Sequence, residues 1–267
     1  ALLAADDAAA GGVLERSADP IARALIEDPA GVVPAGGEAA GWIGRAIGPY
    51  RVLRLLGEGG MGIVFEAEQD SPRRVVALKL VRGGAFLDEP RLRLFRREIE
   101  ALARLQHPAI AAIYDAGRTD DGLHFFAMEL VRGEPLDLAL RARGAGAVSD
   151  AERRARIELF LEICDAIAYA HLRGVIHRDL KPSNVVVVER EGSRSGPRIK
   201  VLDFGLARIT DGDVALSTRR TETHAVEGTL PYMSPEQVRG EPDGIDLRSD
   251  VYSLGVLLFE MLTGTLP

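Results

Sequence analysis

From Tyr50 onward the apolar positions fall into short recurring patterns, and before it they do not. "YRVLRLLGEG" (50–59), "GIVFEAEQ" (62–69) and "RRVVALKLVR" (73–82) predict three strands, the first two joined through glycines. "PRLRLFRREIEALARLQ" (90–106) changes to a helical period, with Leu92, Phe95, Ile99, Leu102 and Leu105 on one stripe. "AIYDAGRTDDGLHFFAMELV" (112–131) reads as a two-stranded hairpin. After about Gly133 the pattern is mostly helical, and its strongest segment is "AERRARIELFLEICDAIAYAHLRG", capped by Ser149 or Asp150. Short strands are expected at 185–188 and 198–202, then a long polar stretch to about Pro235. A last helix is expected from Asp250, apolar nearly all round, as a buried central helix would be. Strands first and helices later predict an α+β chain in two lobes.

Residues 1 to about 48 read differently. They are rich in Ala and Gly, with a short helix expected over 21–27 behind Asp19-Pro20 and a flexible lead-in around it. The 267 residues suffice for one large domain or two lobes. A formal net charge of -7 argues against nucleic-acid binding through a basic surface. The single cysteine, Cys164, sits in an apolar helical pattern and reads as a packed thiol rather than a nucleophile. No intrachain disulfide framework exists with one cysteine. The longest apolar run, Val251 to Leu262, is interrupted and too short to span a membrane, and the N-terminus lacks the basic start of a secretory signal.

Several polar residues sit where the pattern is apolar. Gly57-x-Gly59-x-x-Gly62 alone is a weak signal, compatible with a turn or a dinucleotide site. A dinucleotide site needs a helix directly after the glycines, whereas Ile63-Val64-Phe65 continues as a strand, which favours a hairpin folding over phosphates. Lys79 shares a strand face with Val75 and Ala77, and by itself reads as an edge lysine reaching solvent. On the following helix Glu98 falls inside the apolar stripe and Glu100 outside it. An inward Glu98 and an inward Lys79 predict each other, because a buried charge is costly unless paired. "HRDLKPSN" (177–184) concentrates polar groups between Gly174-Val175-Ile176 and an apolar run.

These motifs, in this order, resemble the protein kinases, specifically the bacterial eukaryotic-like serine/threonine kinases. The resemblance rests on the glycine loop at 57–64, Val76-Ala77-Leu78-Lys79, Glu98, His177-Arg178-Asp179 with Asn184, Asp203-Phe204-Gly205, Gly228-Thr229, Ser234-Pro235-Glu236 and Asp250. It covers Tyr50 to Pro267 and implies a bilobal fold, with a small, mainly antiparallel β lobe (49–131) carrying one key helix and a mainly helical large lobe (132–267). It implies ATP-dependent transfer of phosphate to protein Ser/Thr hydroxyls, with Asp179 as base, Lys181 near the γ-phosphate, and Lys79 on the α- and β-phosphates, oriented by Glu98. Asn184 and Asp203 would hold Mg²⁺, with Mn²⁺ as an alternative. Gly57-Glu58-Gly59-Gly60-Met61-Gly62 would cover the phosphates, Val64 and Ala77 roof the adenine, Met128 act as gatekeeper, and Glu129 and Val131 bond the base through their backbones.

The resemblance makes 203–236 an activation segment. Thr221 and Thr223 are the expected autophosphorylation sites, Arg178 the residue type that clamps such a phosphate, and Thr229 a shaper of the substrate site. The family continues for roughly another 50 residues of helices beyond this point, completing a domain of ordinary size. Those helices are missing here, and so is the arginine partner that Glu236 takes among them. Exposed apolar surface and self-association are the expected consequence. Two classes are therefore weighed: an active kinase, and a kinase-like fragment that binds nucleotide or protein without transferring phosphate. The cytoplasmic placement that follows applies to the catalytic part, since related kinases often carry a membrane anchor.

Overall fold

The computed structural model describes residues 37–59, 62–81, 99–118, 124–142, 149–188, 198–204, 230–240 and 244–267. Strands β1 (Ala46–Ile47), β2 (Tyr50–Gly59), β3 (Gly62–Gln69), β4 (Arg74–Val81), β5 (Ile113–Arg118) and β6 (His124–Glu129) form an antiparallel sheet in the order β1-β2-β3-β4-β6-β5. Alternation along β4 divides its side chains between two cores. Val76, Leu78 and Leu80 join Tyr50, Phe65 and Phe125 on one face of the sheet. Ala77 turns the other way, joining Val64 and Met128 in the core that continues into the second lobe. Lys79 follows Ala77 by two and lies opposite Val64 and Phe126, only 2 % exposed. The edge-lysine reading is thereby excluded, and the alternative of an inward lysine holds.

Residues 37–47 correct one expectation. The flexible lead-in was to run through residue 48, yet Gly37–Trp42 forms a 3₁₀ turn and β1 pairs with β2. Ala39 and Ile47 are buried and Trp42 packs on the same core, with the Arg45 guanidinium 5.7 Å over its ring. A small residue and two apolar ones spaced across a tight turn suffice to add this segment to the sheet. The expected helix at 21–27 lies outside the described residues.

Beyond Glu129-Leu130-Val131, the hinge that links the two lobes, come β7 (Glu134–Pro135) and helix α1 (Leu136–Ala142). Gly133 approaches the neighbouring strand so closely that an added Cβ would lie 2.3 Å from the carbonyl oxygen of Val187. Gly133→Ala is expected to destabilise the fold by about 1–3 kcal/mol, read as a lower urea midpoint; an unchanged midpoint would show that the loop gives way. Helix α2 (Asp150–His171) is capped by Ser149, whose hydroxyl accepts from the Glu152 N–H at 3.2 Å. Its buried Leu159, Ile163, Ala166, Ile167 and Ala170 recur at three and four residues, the spacing that makes one apolar face. Strands β8 (Val185–Val187) and β9 (Ile199–Val201) complete a three-stranded sheet in the order β7-β8-β9. Helix α3 is the short Pro235–Val238.

Helix α4 spans Leu247–Thr263 and starts three residues before the position expected from the sequence. Asp246 is its cap, accepting from the Arg248 N–H at 2.8 Å, so the polar Arg248 and Ser249 belong to its first turn. Gly264 closes it in the left-handed conformation, φ 76°. Burial on all sides is not observed. Val256, Leu257 and Met261 are buried, whereas Leu247, Val251, Tyr252 and Phe259 are exposed. Among the described residues no helix is long and apolar enough to cross a membrane.

Candidate active site

The site lies where the loop after α2 meets the end of β9. Between α2 and β8 the chain makes a 3₁₀ turn, Pro182–Asn184, with Pro at its start and the Asn184 N–H donating to the Lys181 carbonyl at 3.0 Å. Asn184 then donates its side-chain N–H to the backbone oxygen of Asp179 (2.6 Å) and to Asp179 Oδ2 (3.1 Å). Lys181 Nζ reaches the same Oδ2 at 3.2 Å. The Leu202 N–H donates to the Asn184 carbonyl at 2.8 Å, which brings Asp203 alongside. Lys79 comes down from β4 and pairs with Asp203 Oδ2 at 2.8 Å. Asp179, Lys181, Asn184, Asp203 and Lys79, drawn from three separate stretches of sequence, thus share one cluster.

Two residues in the cluster adopt positive φ without being glycine: Arg178 at 67° and Asp203 at 56°. Such backbone costs of order 1–3 kcal/mol and persists only where the surroundings over-determine it. For Arg178 they do. Its N–H donates to Asp250 Oδ1 at 2.8 Å, and its carbonyl accepts from Gln237 Nε2 at 2.6 Å. Asp250 Oδ2 accepts from the His177 N–H at 2.8 Å and from His171 Nε2 at 2.6 Å. His177 is fully buried, with Nε2 donating to the Leu202 carbonyl at 2.9 Å and its ring 4.6 Å from that of Phe204. One carboxylate on α4 therefore sets the backbone on which Asp179 stands. Burial alone would raise the Asp250 carboxyl, but the His171 hydrogen bond, attraction to the His177 imidazole and the two backbone N–H groups hold it below the usual carboxylate range.

Asp179 Oδ1 and Asp203 Oδ1 are buried and have no hydrogen-bond partner among the described residues. A buried carboxylate oxygen left unpaired is costly, and each one asks for a cation or a proton donor. Asn184 commits its amide nitrogen to Asp179, and its other end is an oxygen. Asp203 and Asn184 thus offer hard oxygen donors, the kind that Mg²⁺ or Mn²⁺ takes together with phosphate oxygens. Among the described residues no cluster of three or more His, Cys, Asp or Glu could hold a metal alone. The donor set fits a divalent ion shared with a polyphosphate.

Above the cluster, Val64, Ala77, Met128 and Val131 are buried together in the core that joins the lobes. Behind Met128, Leu102, Leu105, Ile110, Ile113, Asp203 and Phe204 line a small cleft that opens to solvent. Gly57, Glu58, Gly59 and Gly62 lie in the β2–β3 hairpin. Of the other expected site residues, Gly60, Met61, Glu98, Thr221, Thr223 and Thr229 lie outside the described residues. The partner observed for Lys79 is Asp203. Glu236, expected to lack its partner, accepts from the Ser249 hydroxyl, which holds its carboxyl below the usual range. Cys164 is half-buried and its thiol is pushed up by that burial, in keeping with a packed residue. Sequence reasoning missed His171 and Gln237. Neither carries a local signal, since each acts on a residue about 60 to 80 positions away.

A two-lobed fold with a glycine hairpin, an inward lysine and this Asp–Lys–Asn–Asp cluster at the junction defines the protein-kinase class. A protein kinase domain model matches residues 50–267. Curated relatives include a serine/threonine-protein kinase, pkn3, of Myxococcus xanthus, 42 % identical across 85 % of the chain, and PrkC of Bacillus subtilis, 39 % identical across 84 %. The solved kinase domain of Mycobacterium tuberculosis PknI is 28 % identical, with a TM-score of 0.63 over 84 % of this chain and 78 % of its own. The chain belongs to the protein kinase family, among its bacterial eukaryotic-like serine/threonine members. It spans 40 % of the length of pkn3 and 32 % of that of PrkC.

Proposed function

We propose that this chain carries the catalytic part of a kinase that transfers the γ-phosphoryl group of ATP to Ser and Thr hydroxyls of proteins. The observation that carries this reading is the pair of unpartnered buried oxygens, Asp179 Oδ1 and Asp203 Oδ1, flanked by Lys79 and Lys181. Asp179 accepts the proton of the substrate hydroxyl as that oxygen forms its bond to phosphorus and the bond to the β-phosphate oxygen breaks, leaving ADP. Lys181 balances the charge at the transferring end. Lys79 holds the α- and β-phosphates, with Glu98 as its orienting partner. The backbone of Gly57 to Gly62 covers the phosphates, and the backbones of Glu129 and Val131 bond the adenine. Asp203 and Asn184 would hold a divalent ion, Mg²⁺ before Mn²⁺, which would supply neutralisation of the phosphate charge.

Residues 49–131 and 132–267 are assigned as the two lobes of this catalytic unit, placed in the cytoplasm where ATP is available. Thr221 and Thr223 are assigned as autophosphorylation sites, read by Arg178, and Thr229 as part of the acceptor site. The apolar side chains exposed on α4 support self-association of the 267-residue chain.

The test is intact mass after incubation of the full 267-residue chain with ATP and Mg²⁺, then with Mn²⁺, followed by peptide mapping. Added phosphate on Thr221 or Thr223 is expected. Phosphate found only elsewhere removes the regulatory assignment. No phosphate, with ATP still raising the melting temperature, would replace the kinase reading by a nucleotide-binding one.

A further inference from the structure

Lys200, in the middle of β9, sends its ammonium to the hinge. Its Nζ lies 2.7 Å from Oε2 of Glu129, the last residue of β6, and 3.5 Å from the carbonyl oxygen of Ile110. The same Oε2 accepts from the Ala112 N–H at 3.2 Å, and the Glu129 N–H donates to the Ala112 carbonyl at 2.8 Å. β9 belongs to the small sheet of the large lobe and β6 to the six-stranded sheet, so this ion pair crosses from one lobe to the other. Backbone bonds fasten the same junction: Ala111 N–H to the Val201 carbonyl at 2.9 Å, and Val201 N–H to the Ala109 carbonyl at 2.8 Å.

The position of the pair gives it more than a structural role. Lys200 stands three residues before Asp203, and Glu129 two before Val131. Along β9 the contact therefore leads to the metal-binding end of the site, and along the hinge to its base-binding end. The side chains are 18 % and 27 % exposed, so solvent screens the pair less than it would an open surface contact. Nucleotide entry and release need the two lobes to separate, and any separation about the hinge stretches this contact.

We infer that the Lys200–Glu129 pair is a clamp that fixes the hinge relative to Asp203 and slows nucleotide release. Lys200 acts as a positioning residue, touching neither base nor phosphate. The inference rests on the ATP-binding reading above. Release of a fluorescent ADP analogue from the full chain, followed by stopped flow, tests it. Lys200→Met and Glu129→Gln are each expected to speed release about fivefold. The double variant adds nothing further, because one interaction has been removed twice. Lys200→Arg keeps the charge and the wild-type rate. The reversed pair, Lys200→Glu with Glu129→Lys, recovers part of the loss.

A fall in melting temperature without faster release would make the pair structural only and overturn the clamp. Additive effects in the double variant would overturn it as well. Failure of the wild type to bind the analogue would sink the ATP-binding reading and the clamp together, and it is told apart by needing no variant.

Discussion

Asp179→Asn is expected to lower the rate of phosphate transfer by about 10²–10⁴-fold while leaving nucleotide binding and melting temperature nearly unchanged. The substitution is close to isosteric and keeps an oxygen that can accept from Asn184, so the loop has little reason to move. It removes the basic oxygen. Asp179 Oδ2 is occupied by Asn184 and Lys181, so the unpartnered Oδ1 is the atom available to take a proton from an acceptor hydroxyl. It also leaves Lys181 Nζ without its anionic partner at 3.2 Å, which weakens the positioning of that ammonium. Single-turnover transfer to a Thr peptide, with the ATP-induced rise in melting temperature measured alongside, separates chemistry from binding. A rate within tenfold of wild type would reduce Asp179 to a structural cap of its loop.

Asp250→Ala should be the most damaging single change to the folded state. The side chain is 0 % exposed and accepts from the His177 and Arg178 N–H groups and from the His171 ring. Truncation leaves three donors buried without an acceptor, at about 1–3 kcal/mol for each group. Relaxation recovers part of this, so a net loss of about 3–5 kcal/mol is expected. The Arg178 backbone loses one of the two bonds that hold its positive φ, so transfer activity should fall even where the variant remains folded. Asp250→Asn keeps one acceptor and should fall between the two.

The acid limb of the stability curve provides a further check. The folded Asp250 carboxyl is held below its ordinary value, so its contribution is present above the unfolded carboxylate pKa of about 3.9 and is lost as pH falls through the folded one. Wild type should therefore show an acid-induced loss below about pH 4 that Asp250→Ala lacks. Equal acid slopes in the two proteins would contradict this role for the carboxylate.

Local pattern was enough for most of the fold. The strands at 50–59 and 62–69 are found at the bounds expected, because two short apolar runs meet at closely spaced glycines. Ser149 capped the long helix, as its hydroxyl chemistry suggested. The start of α4 was misplaced because Arg248 and Ser249 look like loop residues until Asp246 is seen to be the cap. The same helix was expected to be buried all round, since composition reports apolar residues without saying which neighbours cover them. In the site, Asp179 and Asn184 were legible as polar residues in apolar surroundings, Lys79 and Asp203 only through Glu98 or the family resemblance, and the structure brings the four together. What stayed hidden was the support behind them. Lys200 looks like any strand lysine until β9 and the hinge are placed side by side, and His171 looks like any helix-end histidine until α4 arrives beneath it.

The dependence on Asp250 also sets an order of events during synthesis. The bond from Asp250 to the His177 backbone spans 73 positions, so the catalytic loop leaves the ribosome well before its anchor exists. At roughly 5–20 residues per second, that gap lasts about 4–15 s. Throughout it, the Arg178 N–H lacks its acceptor, and the left-handed conformation has at most the Gln237 contact to hold it. The loop backbone therefore gains its full set of bonds only once the start of α4 has been made, although the HRDLKPSN stretch was translated seconds earlier.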